Sequence, residues 1–202
     1  MPYINNRCLL VAILLATPLT SFSKEISYDY IEGTYSSLTI DTGTSVGDLD
    51  GNGLGISGSF SVTPAIAITA GFISTNYDEF LGVDIDTSEF AVGITGHVGI
   101  APNTDIYGNF SVLKGRIELS DGFTSYDDTD TGNVISAGIR FLATENIELQ
   151  VGFSRVDIFD ESDNGFGGSL RFYASEKFSL AAGYSTADDV DAFSLNARLD
   201  FK

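Results

Sequence analysis

The feature that most constrains the fold is a period of two in the apolar residues, which recurs along almost the whole chain. In residues 54–62, Leu54, Ile56 and Phe60 fall on one face while glycines and serines occupy the other, and residues 90–100 alternate in the same way. Such alternation is typical of a β-strand with one apolar face. No helical period competes with it for long, so the sequence predicts an all-β protein.

Ten runs of this kind follow one another along the chain. They cover about residues 27–40, 53–63, 65–75, 87–101, 104–119, 132–143, 146–158, 165–174, 177–186 and 191–201. Four short connections alternate with five longer acidic ones. The longer ones are centred near residues 41–52, 76–86, 120–131, 158–164 and 186–190. This order predicts an up-and-down meander over residues 24–202, in one domain, with both termini at the short-turn end.

Residues 1–23 have the composition of a secretory signal peptide. Arg7 supplies the positive start, residues 8–19 are largely apolar, and Ser21 and Ser23 are the small residues before a cut ahead of Lys24. The apolar run is shorter than the roughly 20 residues that a membrane-spanning helix needs. We therefore expect cleavage near Ser23, which also removes the only cysteine.

The charge of the chain is strongly negative. It has 10 Lys and Arg against 28 Asp and Glu, a formal net charge of −18. Such acidity argues against a nucleic-acid-binding surface. Because 43% of the residues are hydrophobic, the composition also argues against disorder.

One apolar face per strand fits either a soluble barrel with a dry centre or a membrane barrel with lipid outside. The placement of basic residues favours the membrane barrel, because Arg140, Arg171 and Arg198 share a face with small residues that a narrow lumen requires. Lys114 and Arg116 join that face if a bulge at residues 112–113 resets the alternation. The predicted lumen ion-pair network comprises Lys114, Arg116, Glu118, Arg140, Glu148, Arg171, Arg198 and Asp200.

At this point the chain resembles the small outer-membrane β-barrel proteins of Gram-negative bacteria, the group of OmpA-type and opacity-type barrels. The resemblance rests on the export signal, "YDYIEGTY", "GLGISGSFSVT", "TDIYGNFSV" and the closing "SLNARLDF". It implies a closed antiparallel up-and-down transmembrane barrel in the cell outer membrane, with periplasmic termini. The family's usual eight strands are the alternative to ten. The resemblance also implies that Phe201, displaced one residue from the end, is the assembly signal.

Two smaller patterns were weighed for chemistry. Asp48, Asp50 and Asn52 match the opening of a calcium loop, but position 12 is Ser59 inside a strand, so an EF-hand is excluded. A weak, diffuse divalent-cation loop is the remaining reading, and we expect no specific metal site. His97 is the single histidine, and with no catalytic motif beside it we expect a structural histidine in the lumen.

These inferences define the expected function. We expect no enzyme and no cofactor, but an outer-membrane barrel with a structural or surface-interaction role, acidic extracellular loops and an ion-paired lumen. Its partners would be outer-membrane lipid, lipopolysaccharide and the barrel-assembly machinery, with no nucleic acid, and the protein would be a monomer. The alternatives are a small porin-like channel for cations or small solutes, a surface adhesin, and a soluble secreted β-protein.

Overall fold

The computed structural model describes residues 25–43, 47–80 and 82–201. The predicted signal peptide, residues 1–23, lies outside the described residues. No helix within the described ranges is long and apolar enough to cross a membrane.

The described residues form ten antiparallel strands joined in chain order. They are β1 (Tyr30–Ile40), β2 (Leu49–Thr63), β3 (Ile66–Phe80), β4 (Val83–Ala101), β5 (Thr104–Ser120), β6 (Ser125–Thr144), β7 (Ile147–Ile158), β8 (Glu161–Tyr173), β9 (Phe178–Ala187) and β10 (Val190–Asp200). Each strand pairs with its neighbours, and β1 also pairs with β10, which closes the barrel. Closure pairs every strand edge, as a barrel in lipid requires. The predicted closed up-and-down barrel of ten strands is confirmed, and the eight-stranded alternative is wrong.

The polarity of the barrel wall is inverted relative to a soluble protein. The predicted apolar face points outward, where Phe60 is 62% exposed, Ile94 58% and Leu195 49%. The facing-in positions between them hold glycine, serine and threonine, as at Gly53 and Thr95, both of which are buried. An apolar outer belt with small and polar residues inside is the arrangement of a transmembrane barrel.

The strands differ greatly in length. A membrane needs about 9–11 residues from each tilted strand, and β9 and β1 have 10 and 11. By contrast β4, β5 and β6 have 19, 17 and 20 residues. The barrel therefore continues past the apolar belt on one side, as a tall sheet formed mainly by β4–β6.

That extra length overturns the prediction of five long acidic loops. Phe80 pairs with Val83, Ser120 with Ser125, Ile158 with Glu161 and Ala187 with Val190, so four of the five predicted loops are strand pairs closed by short turns. The acidic residues there lie on strands outside the apolar belt. Their high charge suggested loops because strand propensity is low for Asp, whereas pairing with a neighbouring strand holds them in the sheet.

The predicted bulge at residues 112–113 is also wrong. β5 pairs with β4 and β6 in continuous register through Val112 and Leu113. Val112 is 52% exposed on the outer face and Leu113 is 4% exposed on the inner face. The alternation therefore keeps its phase along the whole of β5, which decides where the basic residues after it point.

Candidate functional site in the barrel lumen

The lumen at the short-turn end, here called the lower lumen, is built around Arg140 and Glu148. Arg140 donates from Nε to Glu148 Oε1 at 2.7 Å and from Nη2 to Oε2 at 3.1 Å. The Tyr173 hydroxyl donates to Glu148 Oε2 at 2.6 Å. Arg140 and Glu148 lie on the neighbouring strands β6 and β7, and both side chains are buried. Two parallel hydrogen bonds between a guanidinium and a carboxylate form the strongest kind of ion pair.

Two further ion pairs continue this charged layer around the wall. Arg198 contacts Asp200 at 2.7 Å, with both residues on β10. Arg171 contacts Glu32 at 2.5 Å and donates to the Ser179 hydroxyl at 3.0 Å. The structure thus brings five residues of the predicted network together in the lower lumen: Arg140, Glu148, Arg171, Arg198 and Asp200.

Glu32 was missed by the sequence reasoning, although its signal was present. It shares the inward face of β1 with Tyr30 and Thr34, and it lies opposite Arg198 in the register. The strand order of a closed barrel makes β1 and β10 neighbours, so an acid on the first strand is an available partner for an arginine near the end of the chain.

The five residues before β1, residues 25–29, form what we call the plug segment. The carbonyl oxygen of Ser27 accepts hydrogen bonds from Arg140 at 2.9 Å and from Arg198 at 2.6 Å. The Tyr28 ring stacks on His97 with centroids 3.6 Å apart and an interplanar angle of 12°. Asp29 accepts a hydrogen bond of 2.7 Å from the Ser61 backbone. Nothing in the sequence signalled this insertion.

The arginines also lie over aromatic rings of the same region. The Arg140 guanidinium is 4.7 Å from the centre of the Tyr28 ring, and that of Arg198 is 3.7 Å from the Tyr30 ring. A buried charge is costly unless it is paired and hydrogen-bonded. Here each arginine has a carboxylate partner, and Arg140 and Arg198 also contact a backbone oxygen and an aromatic ring. These contacts offset the free-energy cost of burying the charges in the lower lumen.

Above this layer the lumen is lined by small residues that make room for one tyrosine. The Tyr107 hydroxyl accepts a hydrogen bond of 2.9 Å from Gln150, reaching from β5 across β6 to β7. A Cβ atom at Gly138 or Gly152 would lie 2.7 or 2.8 Å from the Tyr107 hydroxyl oxygen. At Gly138 the backbone also excludes a side chain, because its Cβ would lie 2.4 Å from the Val151 carbonyl oxygen, whereas at Gly152 the Tyr107 hydroxyl is the nearest obstacle.

At the opposite, upper end the inner face of β5 becomes apolar, while Asp128 and Asp130 lie on the same face of the neighbouring strand β6. Leu113 is buried, and Ile117 and Leu119 above it point the same way. Ile158, at the end of β7, reaches over the adjacent strands: a Cβ at Gly132 or Gly115 would lie 2.7 Å from its Cβ or 2.8 Å from its Cδ1. The turn after it is fixed by Asp130, whose carboxylate accepts a hydrogen bond of 2.7 Å from the Phe159 backbone.

Lys114, Arg116 and Glu118 do not belong to the lumen, so this part of the predicted network is wrong. They follow Val112 on the outer face of β5 and are exposed there. Arg116 lies 3.4 Å from Glu118 and 3.7 Å from Asp127. The prediction failed because it assumed that charges always face inward. Beyond the apolar belt, the outward face of β5 carries charged residues that contact water. The alternation of inward and outward residues along β5 does not change there.

The remaining predicted positions lie elsewhere. Asp50 and Asn52 are on β2, where they accept hydrogen bonds from Thr39 at 2.7 Å and Tyr35 at 2.6 Å, and Asp48 precedes the strand. In the parts of the chain that the structure describes, no group of three His, Cys, Asp or Glu side chains could hold a metal ion. Phe201 lies just after β10, and its side chain is exposed.

Comparison with known proteins identifies a family and several solved structures that this barrel resembles. The family model described as outer membrane protein β-barrel domain matches residues 8–201. Solved structures with the same fold include Neisserial surface protein A, with 13% identity and a TM-score of 0.50, over 87% of this chain and 98% of that one. The translocator domain of autotransporter NalP from Neisseria meningitidis has 9% identity and a TM-score of 0.54, over 96% and 95%.

The transport unit of autotransporter AIDA-I from Escherichia coli has 9% identity and a TM-score of 0.52, and the match covers 100% of both chains. At these identities the likeness concerns the fold alone. No curated protein matches the chain.

Proposed function

This chain belongs to the outer-membrane protein β-barrel family, and from that premise we propose that it is a monomeric barrel with a closed lumen. Its role is then structural or lies in contacts made at the cell surface. The observation that carries the proposal is the lower lumen, where Arg140 and Arg198 hold the Ser27 carbonyl between their own ion pairs. A pore for ions needs continuous water-filled space, and this layer occupies it with paired charges and rings.

The small porin-like channel is the rival that a specific observation favours. The middle of the lumen is lined by small and polar side chains such as Ser111 and Asn109, which would suit a water-filled passage. Planar-bilayer recording of the purified protein separates the two. A closed lumen gives no stable single-channel steps, whereas reproducible steps from the native chain would overturn the proposal.

A surface role is supported by the tall sheet of β4–β6. Its outer face carries Asp84, Asp86, Glu118 and Asp127, so a partner docking there would be basic. If the protein is an adhesin, this acidic outer face of β4–β6 is the surface that would bind the partner. A cell-adhesion assay checks it, because binding should be competed by a cationic peptide and not by a sulfated polysaccharide.

The rest of the proposal concerns location and assembly. The signal peptide would be cleaved near Ser23, the barrel-assembly machinery would read Phe201, and lipid and lipopolysaccharide would surround the apolar belt. The exposed Phe60 and Ile94 support that environment. Membrane fractionation with heat-modifiable migration on a denaturing gel tests it. A chain recovered in the soluble periplasmic or secreted fraction would instead indicate a soluble β-protein.

The proposal includes no catalysis. His97 is engaged by Tyr28 in the lower lumen, and an Asp105 carboxylate oxygen lies 3.9 Å from its Nδ1. The matching family model describes an outer membrane protein β-barrel domain and names no activity. A hydrolase screen with lipid and peptide substrates should give no turnover, and turnover that disappears in a His97→Ala variant would contradict this.

A further inference from the structure

The outer face of β3–β6 changes polarity within two steps along β5. Phe72 on β3 pairs with Phe90 on β4, and Phe90 pairs with Lys114 on β5. One step further, Arg116 lies between Ser88 and Thr129. The next step brings in carboxylates, which are described below. Two cations therefore separate the lipid-facing aromatic rings from the acidic surface above.

These residues border a groove of about 490 Å³ on the outer wall. Its apolar side is formed by Phe72 and Phe90, and its polar side by Lys114, Arg116 and Thr129, and the acidic residues Glu89 and Asp127 also border it. Its position, at the upper limit of the apolar belt, is the depth at which the headgroups of the outer leaflet lie. The groove thus combines a surface for hydrocarbon with a surface for negative charge.

Lys114 and Arg116 have N–H donors that are not occupied by short ion pairs. Among the described residues, no carboxylate oxygen lies within 4.0 Å of the Lys114 ammonium group. Within the described part of the chain, Arg116 makes only the long, half-exposed contacts to Glu118 and Asp127, at 3.4 and 3.7 Å. Arg155, the other basic residue of the upper outer face, is different, since it binds Asp157 at 3.0 Å and Ser162 at 2.8 Å.

Three carboxylates lie one step beyond Arg116 on the side away from the apolar belt, and one of them, on Asp127, also borders the groove. Glu118 is level with Asp86 and Asp127, one step beyond Arg116 and two beyond Lys114. A negative group that arrives from the lipid side meets Lys114 first and Arg116 next. These carboxylates would repel an anion approaching from the water, so the polarity of the site favours a ligand anchored in the membrane.

We propose that this groove binds the phosphorylated headgroup of an outer-leaflet lipid, with Lys114 and Arg116 on the phosphate and Phe72 and Phe90 against the acyl chains. The inference rests on the outer-membrane placement of the proposed function. Phosphate is the anion that suits this pair, because arginine offers it two parallel donors and lysine a compact charge. Thr129 adds a hydroxyl donor beside Arg116.

The test uses the full barrel in detergent micelles with purified lipid A as the probe, in its bis-phosphorylated form and after enzymatic removal of both phosphates. Native mass spectrometry measures the affinity. The Lys114→Gln/Arg116→Gln double variant should bind the phosphorylated form about tenfold more weakly, the effect of losing charge-assisted hydrogen bonds. The matched controls Arg155→Gln and Lys177→Gln should stay within about twofold of the native protein.

Three results would overturn the proposal. They are equal binding of the two lipid forms, a double variant that binds like its controls, or inorganic phosphate that binds as tightly as the lipid. Heat-modifiable migration is recorded for each variant. A double variant with a normal folded band and unchanged lipid binding refutes this site while leaving the outer-membrane barrel intact. If the double variant does not fold, Lys114→Gln alone is scored by the same criteria.

Discussion

Arg198 donates a hydrogen bond of 2.6 Å to the backbone carbonyl oxygen of Ser27, a residue 171 positions earlier in the chain. A carbonyl oxygen has two lone pairs, and Arg140 takes the second at 2.9 Å. The same arginines are already neutralised by Asp200 and Glu148. The plug segment is therefore bound by arginines whose ion pairs do not depend on it. Removing the plug segment should leave those ion pairs in place.

The first prediction follows from this arrangement. A mature chain lacking residues 25–28 loses the Ser27 carbonyl and the Tyr28 ring but keeps the ion pairs of Arg140 and Arg198. We expect this deletion to produce brief, small conductance steps in planar bilayers where the native protein gives none.

A conservative variant serves as the control for the deletion. Tyr28→Phe retains the ring that stacks on His97 and should remain silent. If the deletion and the native barrel are equally silent, the plug segment does not seal the lumen, and closure must be assigned to the ion pairs alone.

The second prediction concerns the cost of breaking the buried pair. Glu148→Ala leaves Arg140 buried without a carboxylate, and removal of one partner of such a pair costs about 3–5 kcal/mol of unfolding free energy. The chain has no tryptophan, so urea unfolding in lipid vesicles is followed by the shift between folded and unfolded gel bands. The double variant Arg140→Met/Glu148→Leu should recover most of the loss, since no charge is left unpaired.

The comparison variant for the buried pair is Glu118→Ala, which breaks the half-exposed contact to Arg116. An exposed ion pair contributes about 0–1 kcal/mol, so this variant should unfold close to the native midpoint. Equal destabilisation by Glu148→Ala and Glu118→Ala would mean that the lower lumen is hydrated and that burial is not what makes its charges important.

Much of the fold could be predicted from the sequence because alternate residues of a barrel strand face the outside and the inside of the barrel, and this gives the apolar residues a period of two. Phe60 and Ser59 alternate in sequence, and they lie on the outer and inner faces of β2 in the structure. The lower-lumen residues Arg140, Arg171 and Arg198 were placed for the same reason. Which residues of a strand face inward depends only on the neighbouring residues of that strand, so it can be read from one sequence.

The level of the membrane along each strand is not local information, and that is where the sequence reasoning failed on β5. Phe110 and Lys114 both point outward, the first within the apolar belt and the second at its upper limit. A change from apolar to charged residues on one face can mean a bulge or the edge of the belt, and only pairing with Phe90 and Thr131 in unbroken register decides between them. The plug segment was invisible because its contacts run through a backbone carbonyl.

The third prediction measures where the belt ends. Ile94, in the middle of the outward residues of β4, should tolerate an arginine poorly, with a loss of about 2–4 kcal/mol in vesicles. Ser88 lies on the same face three outward positions higher and beside Arg116. Ser88→Arg should cost about 0–1 kcal/mol. Similar costs at the two positions would place Ser88 inside the bilayer and move the boundary proposed for the lipid site.

The last prediction concerns pH and the turn between β5 and β6. Asp121 Oδ1 accepts hydrogen bonds from the Phe123 and Thr124 backbones at 2.9 and 2.7 Å and from the Thr124 hydroxyl at 3.1 Å. These bonds favour the ionised form, with those to the backbones first, and hold the pKa of Asp121 below the usual value for an aspartate.

Because the folded pKa of Asp121 is lowered, its contribution to the turn is complete above the unfolded pKa of about 3.9 and is lost as pH falls through the folded value. Carboxyl-carbon NMR of the labelled barrel should give Asp121 a midpoint below that of an exposed aspartate. The Thr124 amide should lose its exchange protection over the same pH interval, and Asp121→Asn should flatten that dependence while leaving the folded gel band unchanged. An ordinary midpoint for Asp121, or an unchanged pH profile in the asparagine variant, would mean that the turn is held by the Asp121–Thr124 backbone bond alone.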